Sequence, residues 1–395
     1  MRGRYLRCTW QHDPTLYAPA RYRRACQYDA FLPDPVANLN IDLPGEVTGV
    51  LSEAEQAVAD LNRTAGPELA PLARLLLRTE SIASSKVEGM QADARTLARA
   101  EATQEGGRQI GTQAAEILAN IDAMVWAVEQ AAASENIRPQ DLREIHRVLL
   151  AGDPGIRRPG EFRNEQNWIG GNDYNPCGAD FVPPPAEEVE ALLDDLCRFC
   201  NEEVLPPLLQ AAIAHAQFET IHPFVDGNGR TGRALVQVLL RRRGLAPAFV
   251  PPISVVLARQ RDRYIGGLTL FREDRVAEWT SLFAAATAEA ANLAGRYRLR
   301  VAELQERWRA ELREVSNPRS DAAAWTIIDI LPAHPVITVP VAVAATERTR
   351  PAVANGIAEL EAAGVLVPLT ASRRNRAWEA SGLLDLIVGL ESGEG

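Results

Sequence analysis

The sequence predicts a mainly α protein: a helical core carrying a β-hairpin flap, plus a C-terminal winged helix-turn-helix. Three observations point there. Apolar residues recur at the i, i+3, i+4, i+7 spacing of a helix face, as at Leu209, Ala212, Ile213 and Ala216. That pattern breaks over residues 159 to 185, PGEFRNEQNWIGGNDYNPCGADFVPPP, where Gly, Asn and Pro are frequent. Beyond residue 320, three short helical stretches precede two short extended runs.

The elements follow in order. Residues 1 to about 110 open irregularly, rich in Arg and Tyr, and continue as helices. Pro71, Leu72, Leu75, Leu76, Thr79, Ile82 and Ala83 predict one of these, with proline near its start and Gly89 at its end. Residues 111 to about 295 hold the central helices. One spans residues 187 to 201, and a second carries Leu209 to Ala216. Pro223 ends the second, because proline disfavours helical geometry in the residue before it. A third starts near Asn228 to Arg230, with Leu235, Val238 and Leu239 on its apolar face. Arg241, Arg242 and Arg243 suit the dipole in its last turn, and Gly244 suits its cap.

Residues 296 to 320 form a charged linker helix broken by Asn317-Pro318. In residues 321 to 395, helices are expected over 322–331 and 339–345. A third is capped by Thr349 with Pro351 in its first turn and runs to Ala363. Strands over 365–367 and 377–379 then flank Ser372-Arg373-Arg374-Asn375-Arg376.

Composition bounds the function. With 46% hydrophobic and 24% charged residues, the chain is that of a soluble globular protein long enough for two or three domains. A formal net charge of −10 argues against a chain-wide nucleic-acid coat. No apolar run reaches the length of about eighteen residues that a membrane helix needs, and the basic N-terminus lacks an apolar signal core. No membrane association is expected, and the cytoplasm is the default location. Five cysteines make a sparse, odd set, and Cys197 and Cys200 read as small buried hydrophobes. His12, His146, His215 and His334 show no metal-ligand spacing, and His215 reads as a packed residue.

The most informative stretch is His222-Pro223-Phe224-Val225-Asp226-Gly227-Asn228-Gly229-Arg230-Thr231-Gly232-Arg233. It falls between two predicted helices, with its glycines at the start of the second. The first amides of a helix lack internal partners and carry partial positive charge. Gly227 and Gly229 permit backbone angles other residues avoid and let a phosphate approach the main chain. Arg230 and Arg233, three apart, can grip successive phosphates. Asp226 is a hard oxygen ligand suited to Mg²⁺ shared with phosphate, and His222 belongs to the pKa class of a general base.

These residues match the Fic family signature, His-Pro-Phe-x-Asp/Glu-Gly-Asn-Gly-Arg-x-x-Arg, at every fixed position. The resemblance implies a Fic-type helical core that transfers AMP from ATP to a hydroxyl of a target protein. It implies that His222 deprotonates the target Ser, Thr or Tyr and that Asp226 holds Mg²⁺ between the α- and β-phosphates. It assigns phosphate binding to Asn228 and the loop amides of Gly227, Gly229, Thr231 and Gly232, the β-phosphate to Arg230 and the γ-phosphate to Arg233.

Upstream, Glu80 to Gln91 reads ESIASSKVEGMQ, with Ser84 and Glu88 four apart on one helix face. A glutamate at a helix C-terminus is electrostatically disfavoured and invites a partner cation. Ser84-x-x-x-Glu88-Gly89 resembles the inhibitory helix of Fic proteins that carry a brake ahead of the core. The resemblance implies that Glu88 pairs with Arg233, with Ser84 bonding near the nucleotide.

Residues 159 to 185 resemble the family's target-docking flap in their Gly-x-Phe-Arg start and Pro-Pro finish. Trp168, Ile169, Gly170 and Gly171 carry its hairpin signal, and an exposed edge there could add a strand of target. Tyr264 sits where relatives show an aromatic near adenine, and a packed tyrosine is the alternative.

The tail resembles the winged helix-turn-helix often found in such proteins. DNA contact would use the helix from Thr349 and the arginine-rich wing. A protein-interaction or dimerisation module is the other possibility, and Glu359 and Glu361 weigh against DNA. The leading expectation is protein adenylyl transfer with ATP and Mg²⁺, restrained by Glu88, with a homodimer possible. A DNA-binding regulator with a nucleotide-sensing core and a de-AMPylase using the same residues stay open.

Overall fold

The computed structural model describes residues 3–63, 70–91, 94–105, 109–151, 158–369 and 376–392. Its strands are β1 (Gly3–Trp10), β2 (Cys26–Pro33), β3 (Val336–Thr338), β4 (Leu366–Pro368) and β5 (Ala377–Ala380). The helices begin with α1 (Gly45–Arg63), α2 (Ala70–Val87), α3 (Ala94–Glu105), α4 (Thr112–Trp126) and α5 (Pro139–Leu149). Next come α6 (Val189–Cys200), α7 (Pro207–Ile221), α8 (Asn228–Arg242), α9 (Ile253–Arg259) and α10 (Arg261–Arg272). The last are α11 (Val276–Val315), α12 (Ala323–Ile330), α13 (Val339–Thr346), α14 (Arg350–Ala362) and α15 (Leu383–Ser392). The chain is mainly helical, as its sequence predicts. Among the described residues no helix is long and apolar enough to cross a membrane.

Backbone contacts group the chain into two units, neither of them one continuous segment. The first comprises residues 1–53, 125–245 and 260–285, and the second residues 54–124, 246–259 and 286–395.

In the first unit, α7 is buried on every side, from Leu208 to Ile221. The single apolar face expected from Leu209, Ala212, Ile213 and Ala216 therefore understates this helix. Two of its polar residues are absorbed by nearby bonds: Gln210 Nε2 donates to the Phe199 and Glu202 carbonyls, and Thr220 Oγ1 to that of Ala216. Trp279 Nε1 of α11 donates to the Ala212 carbonyl at 2.8 Å. Gly232 of α8 lets the two helices approach, since a Cβ there would sit 3.0 Å from Glu219 Oε1 and Phe218 Cδ1. Arg243 at the end of α8 bonds Gln210 Oε1 and the Leu205 carbonyl, so it staples loops as well as meeting the helix dipole.

β1 and β2 form an antiparallel ribbon in register from Gly3↔Pro33 to Trp10↔Cys26. The ribbon braces the flap region. Phe31 N–H donates to the Val182 carbonyl at 2.9 Å, Trp10 packs edge-on to Trp168, and Tyr22 stacks on Tyr174. A Cys26–Cys177 disulfide joins the same two segments, a pairing absent from the sequence expectations. Cys197 and Cys200 are buried, as expected.

At the expected hairpin signal, Gly170-Gly171, the chain turns back so that Ile169 meets Phe181. The flap's strand pairing is one isolated bridge, Ile169↔Phe181. Gly170 and Gly171 both have positive φ, and they begin a wide loop closed by Asn172 and Asn175 side-chain bonds. Those internal bonds replace a strand ladder.

In the second unit, the C-terminal half of α11 supplies Leu304, Trp308 and Leu312 to a core shared with Ile327, Val353, Ile357 and Leu360. Strand order is β3-β5-β4, antiparallel throughout. Helices α12 to α14 fall where expected within a residue or two, whereas α15 and β3 were not expected. Thr349 occupies the N-cap of α14 but makes no side-chain cap bond, and Gly364 closes the helix at φ +76°. Residues 372–375 of the expected wing lie outside the described residues. Glu361 is engaged by Arg376 at 2.8 Å and Trp378 Nε1 at 2.9 Å.

Candidate active site

The 222–233 loop is built by its own chemistry. α7 stops because His222 adopts the left-handed conformation, φ 51° and ψ 59°, just before Pro223. That geometry costs a non-glycine residue about 1 kcal/mol or more, so the surroundings must hold it. Arg163 Nε donates to the His222 carbonyl at 2.9 Å, and Asn167 Nδ2 donates to it at 3.1 Å. Asn167 also bonds the Phe224 carbonyl, and the Arg163 amide bonds that of Pro223, each at 2.9 Å. Arg163 further reaches the carbonyls of Glu165, Pro184 and Ile221. Its burial pulls its pKa down to about 10.

The second half of the loop is an N-terminal helix cap. Gly227 takes φ +76°, and Thr231 N–H makes the first helical bond to its carbonyl at 3.0 Å. Asn228 bonds Phe224 N–H through Oδ1 and the Phe224 carbonyl through Nδ2, both at 2.8 Å. Its side chain thus closes the turn, although the resemblance assigns it to phosphate.

Arg230 and Arg233 are buried, at 3% and 2% exposure. Among the described residues, Arg230 Nε and Nη1 and Thr231 Oγ1 are buried with no hydrogen-bond partner, while Arg230 Nη2 lies 3.6 Å from Asp226 Oδ2. A buried cation with donors to spare invites an anion. The Asp226 carboxylate is 62% exposed, and the described residues hold no cluster of three metal-ligating side chains. One accessible carboxylate fits a Mg²⁺ shared with phosphate oxygens.

His222 Nδ1 lies 3.8 Å from Glu219 Oε2, one turn back on α7. His146 of α5 underlies the loop. Its Nε2 contacts the Asp226 carbonyl at 2.9 Å, and its ring stacks on Phe224 at 3.7 Å. Burial pulls the His146 pKa down to about 4.

Tyr264 is buried with its hydroxyl 2.9 Å from His215 Nε2. The flap and the loop come together in the first unit through Arg163 and Asn167. Ser84, Glu88 and Gly89 belong to the second unit. Ser84 is buried within α2, Glu88 is exposed in the turn after it, and Gly89 has φ +84°. Sequence reasoning missed Asn167, Glu219 and His146 as contributors. For Asn167 and His146 the signal is a contact far along the chain, which spacing does not carry, whereas Glu219 stands one helical turn before His222, within reach of spacing. Arg163 was marked only as the end of Gly-x-Phe-Arg.

Residues 136–240 match the family model described as Fic/DOC family, and residues 49–129 the one described as Fic/DOC family N-terminal. A curated relative from Drosophila yakuba, protein adenylyltransferase Fic, is 33% identical over 181 residues, 45% of this chain and 33% of the relative. This chain therefore spans about a third of the length of that relative. A Fic family protein from Desulfovibrio desulfuricans G20 superposes with a TM-score of 0.52 at 19% identity, covering 87% of this chain and 98% of that one. Fic-1 from C. elegans gives a TM-score of 0.52 at 21% identity, over 63% and 72% of the two chains. The chain thus carries a Fic/DOC family domain over residues 136–240 and a Fic/DOC family N-terminal region over residues 49–129, on a fold shared with a Fic family protein.

Proposed function

We propose that the protein is an adenylyltransferase that moves AMP from ATP to a Ser, Thr or Tyr hydroxyl of a target protein. The observation that carries this is Arg230: a buried guanidinium with two unpartnered nitrogens among the described residues, at the N-terminus of α8 and within one loop of His222. Preorganised donors of that kind stabilise charge developing on a phosphoryl group. The relatives named protein adenylyltransferase Fic support the same reaction.

In this reading His222 takes the proton of the target hydroxyl. The oxygen attacks the α-phosphorus, a new P–O bond forms, and the bond to pyrophosphate breaks. Asp226 would hold Mg²⁺, which neutralises charge on the phosphates. Arg230 and the first amides of α8 bind phosphate oxygens, and Arg233 takes the γ-phosphate. Incubation with α-labelled ATP and cell lysate tests this. Label on protein, lost in His222→Ala, is the expected result; equal labelling by the variant overturns the assignment.

We further propose that Glu88 restrains the reaction by competing with the γ-phosphate for Arg233. Its support is the Ser84-to-Gly89 motif and the position of Glu88 at the C-terminal end of α2, where a carboxylate is poorly placed without a cation. For the tail, three helices and a three-stranded sheet over residues 323–380 support a winged-helix reading. The engagement of Glu361 by Arg376 and Trp378 removes part of the charge that weighed against DNA. A gel shift at moderate salt, with and without Arg350→Ala, tests that contact.

A further inference from the structure

We propose that His146 is a positioning residue for the metal-binding half of the loop: it sets where the Asp226 backbone stands, and through it the carboxylate offered to Mg²⁺-ATP. This deepens the nucleotidyl-transfer reading and rests on it. Both ring nitrogens are committed. The Gly160 amide donates to Nδ1 at 2.9 Å, so Nδ1 carries no proton. Nε2 lies 2.9 Å from a carbonyl, which can only accept, so Nε2–H donates to Asp226. The two bonds together select one neutral tautomer, since the hydrogen bond at one ring nitrogen decides which nitrogen carries the proton.

The ring touches the loop at three levels. Its face lies on Phe224, with centroids 3.7 Å apart and planes 2° from parallel. Its edge bonds the Asp226 carbonyl. A Cβ built on Gly227 would come within 3.4 Å of its Cδ2 and Nε2. His146 is 2% exposed and Phe224 0%, so water does not substitute for these contacts. Its other end holds Gly160, at the start of the flap.

The loop is therefore gripped by two separate devices. Arg163 and Asn167 hold the carbonyl of His222, and His146 holds that of Asp226. Loss of the first should act on the base, and loss of the second on nucleotide and metal. An ordinary packed histidine would affect stability alone.

The test uses the full chain and Mn²⁺-ATP as the probe, with Kd from calorimetry and free Mn²⁺ from electron paramagnetic resonance. His146→Phe keeps the stacking and removes the donor, whereas His146→Gln keeps an N–H. The expected result is Mn²⁺-ATP binding weakened about tenfold or more in His146→Phe, with His146→Gln closer to wild type at matched melting temperature. His146→Phe binding within twofold of wild type overturns the proposal, as does an equal loss in both variants. Should His146→Phe fail to fold, nitrogen-detected NMR of ¹⁵N-histidine wild type decides: Nε2–H supports the proposal and Nδ1–H overturns it. A Glu88→Gly variant that binds Mn²⁺-ATP but transfers no AMP would sink the transfer reading, whereas a His146→Phe result within twofold of wild type would sink this inference alone.

Discussion

The guanidinium of Arg163 donates to the carbonyl of His222 at 2.9 Å, across 59 positions of sequence. The one residue expected to act as base is thus held in a strained conformation by a buried cation from the flap. Arg163→Ala removes a donor from four carbonyls, of which that of His222 keeps only Asn167. Hydrogen bonds to a charged group are worth ~1.5–3 kcal/mol each when intact, so a clear drop in melting temperature is expected. AMP transfer per folded molecule should fall at least tenfold, with ATP affinity changed less. Calorimetry beside labelled-ATP kinetics would show it; a variant with wild-type kcat would mean that His222 holds its conformation unaided.

The proposed brake predicts opposite outcomes for two residues. Glu88→Gly should raise AMP transfer, including self-labelling, and Arg233→Ala should abolish it. Both are read from α-labelled ATP incorporated at equal protein concentration. Equal labelling in wild type and both variants would defeat the brake.

His215 predicts acid sensitivity of the fold. It is fully buried, and desolvation pulls its pKa to about 3, against 6.5 for the free side chain. Below pH 6.5 the unfolded chain takes up this proton before the folded chain does. Stability is therefore full above pH 6.5 and falls as pH drops toward 3. The slope from this one group approaches about 1.4 kcal/mol per pH unit. Urea midpoints between pH 5 and 7 check this: His215→Gln should lose one proton's worth of the slope, and an unchanged slope would contradict it.

Thiol chemistry should separate the five cysteines. Cys200 is pushed up to about 12 and Cys197 is also raised, both by burial, so neither should alkylate in the native protein at pH 8. Cys8, partly exposed, should react, and Cys26 and Cys177 should react only after reduction. Mass spectrometry of iodoacetamide-treated protein reads all five. Reduction should also speed proteolysis of the loop around Cys177, since a link spanning 151 positions is lost.

Much of the site was legible in the residues themselves. Pro223 stops α7, Gly227 starts α8, and Asp226, Arg230 and Arg233 follow from their spacing. These features act within one turn of chain, where proline, glycine and helix periodicity decide the backbone almost alone. Helices α12 to α14 of the tail were legible for the same reason, and α15 was not expected. The Gly170-Gly171 signal marks where the chain turns, but not that Asn172 and Asn175 hold a wide loop there between Ile169 and Phe181.

Sequence alone thus determined which residues are local neighbours and what chemistry they share. Tertiary structure alone decided that Arg163, Asn167 and His146 grip the loop from 55 to 80 positions away, and that α7 is enclosed on all sides. It also decided that the Tyr264 hydroxyl meets His215, and that Cys26 meets Cys177. The reason is physical. Periodicity marks which face of an element is apolar, but the partner of a buried donor is set by how distant segments pack, and no spacing along the chain encodes that.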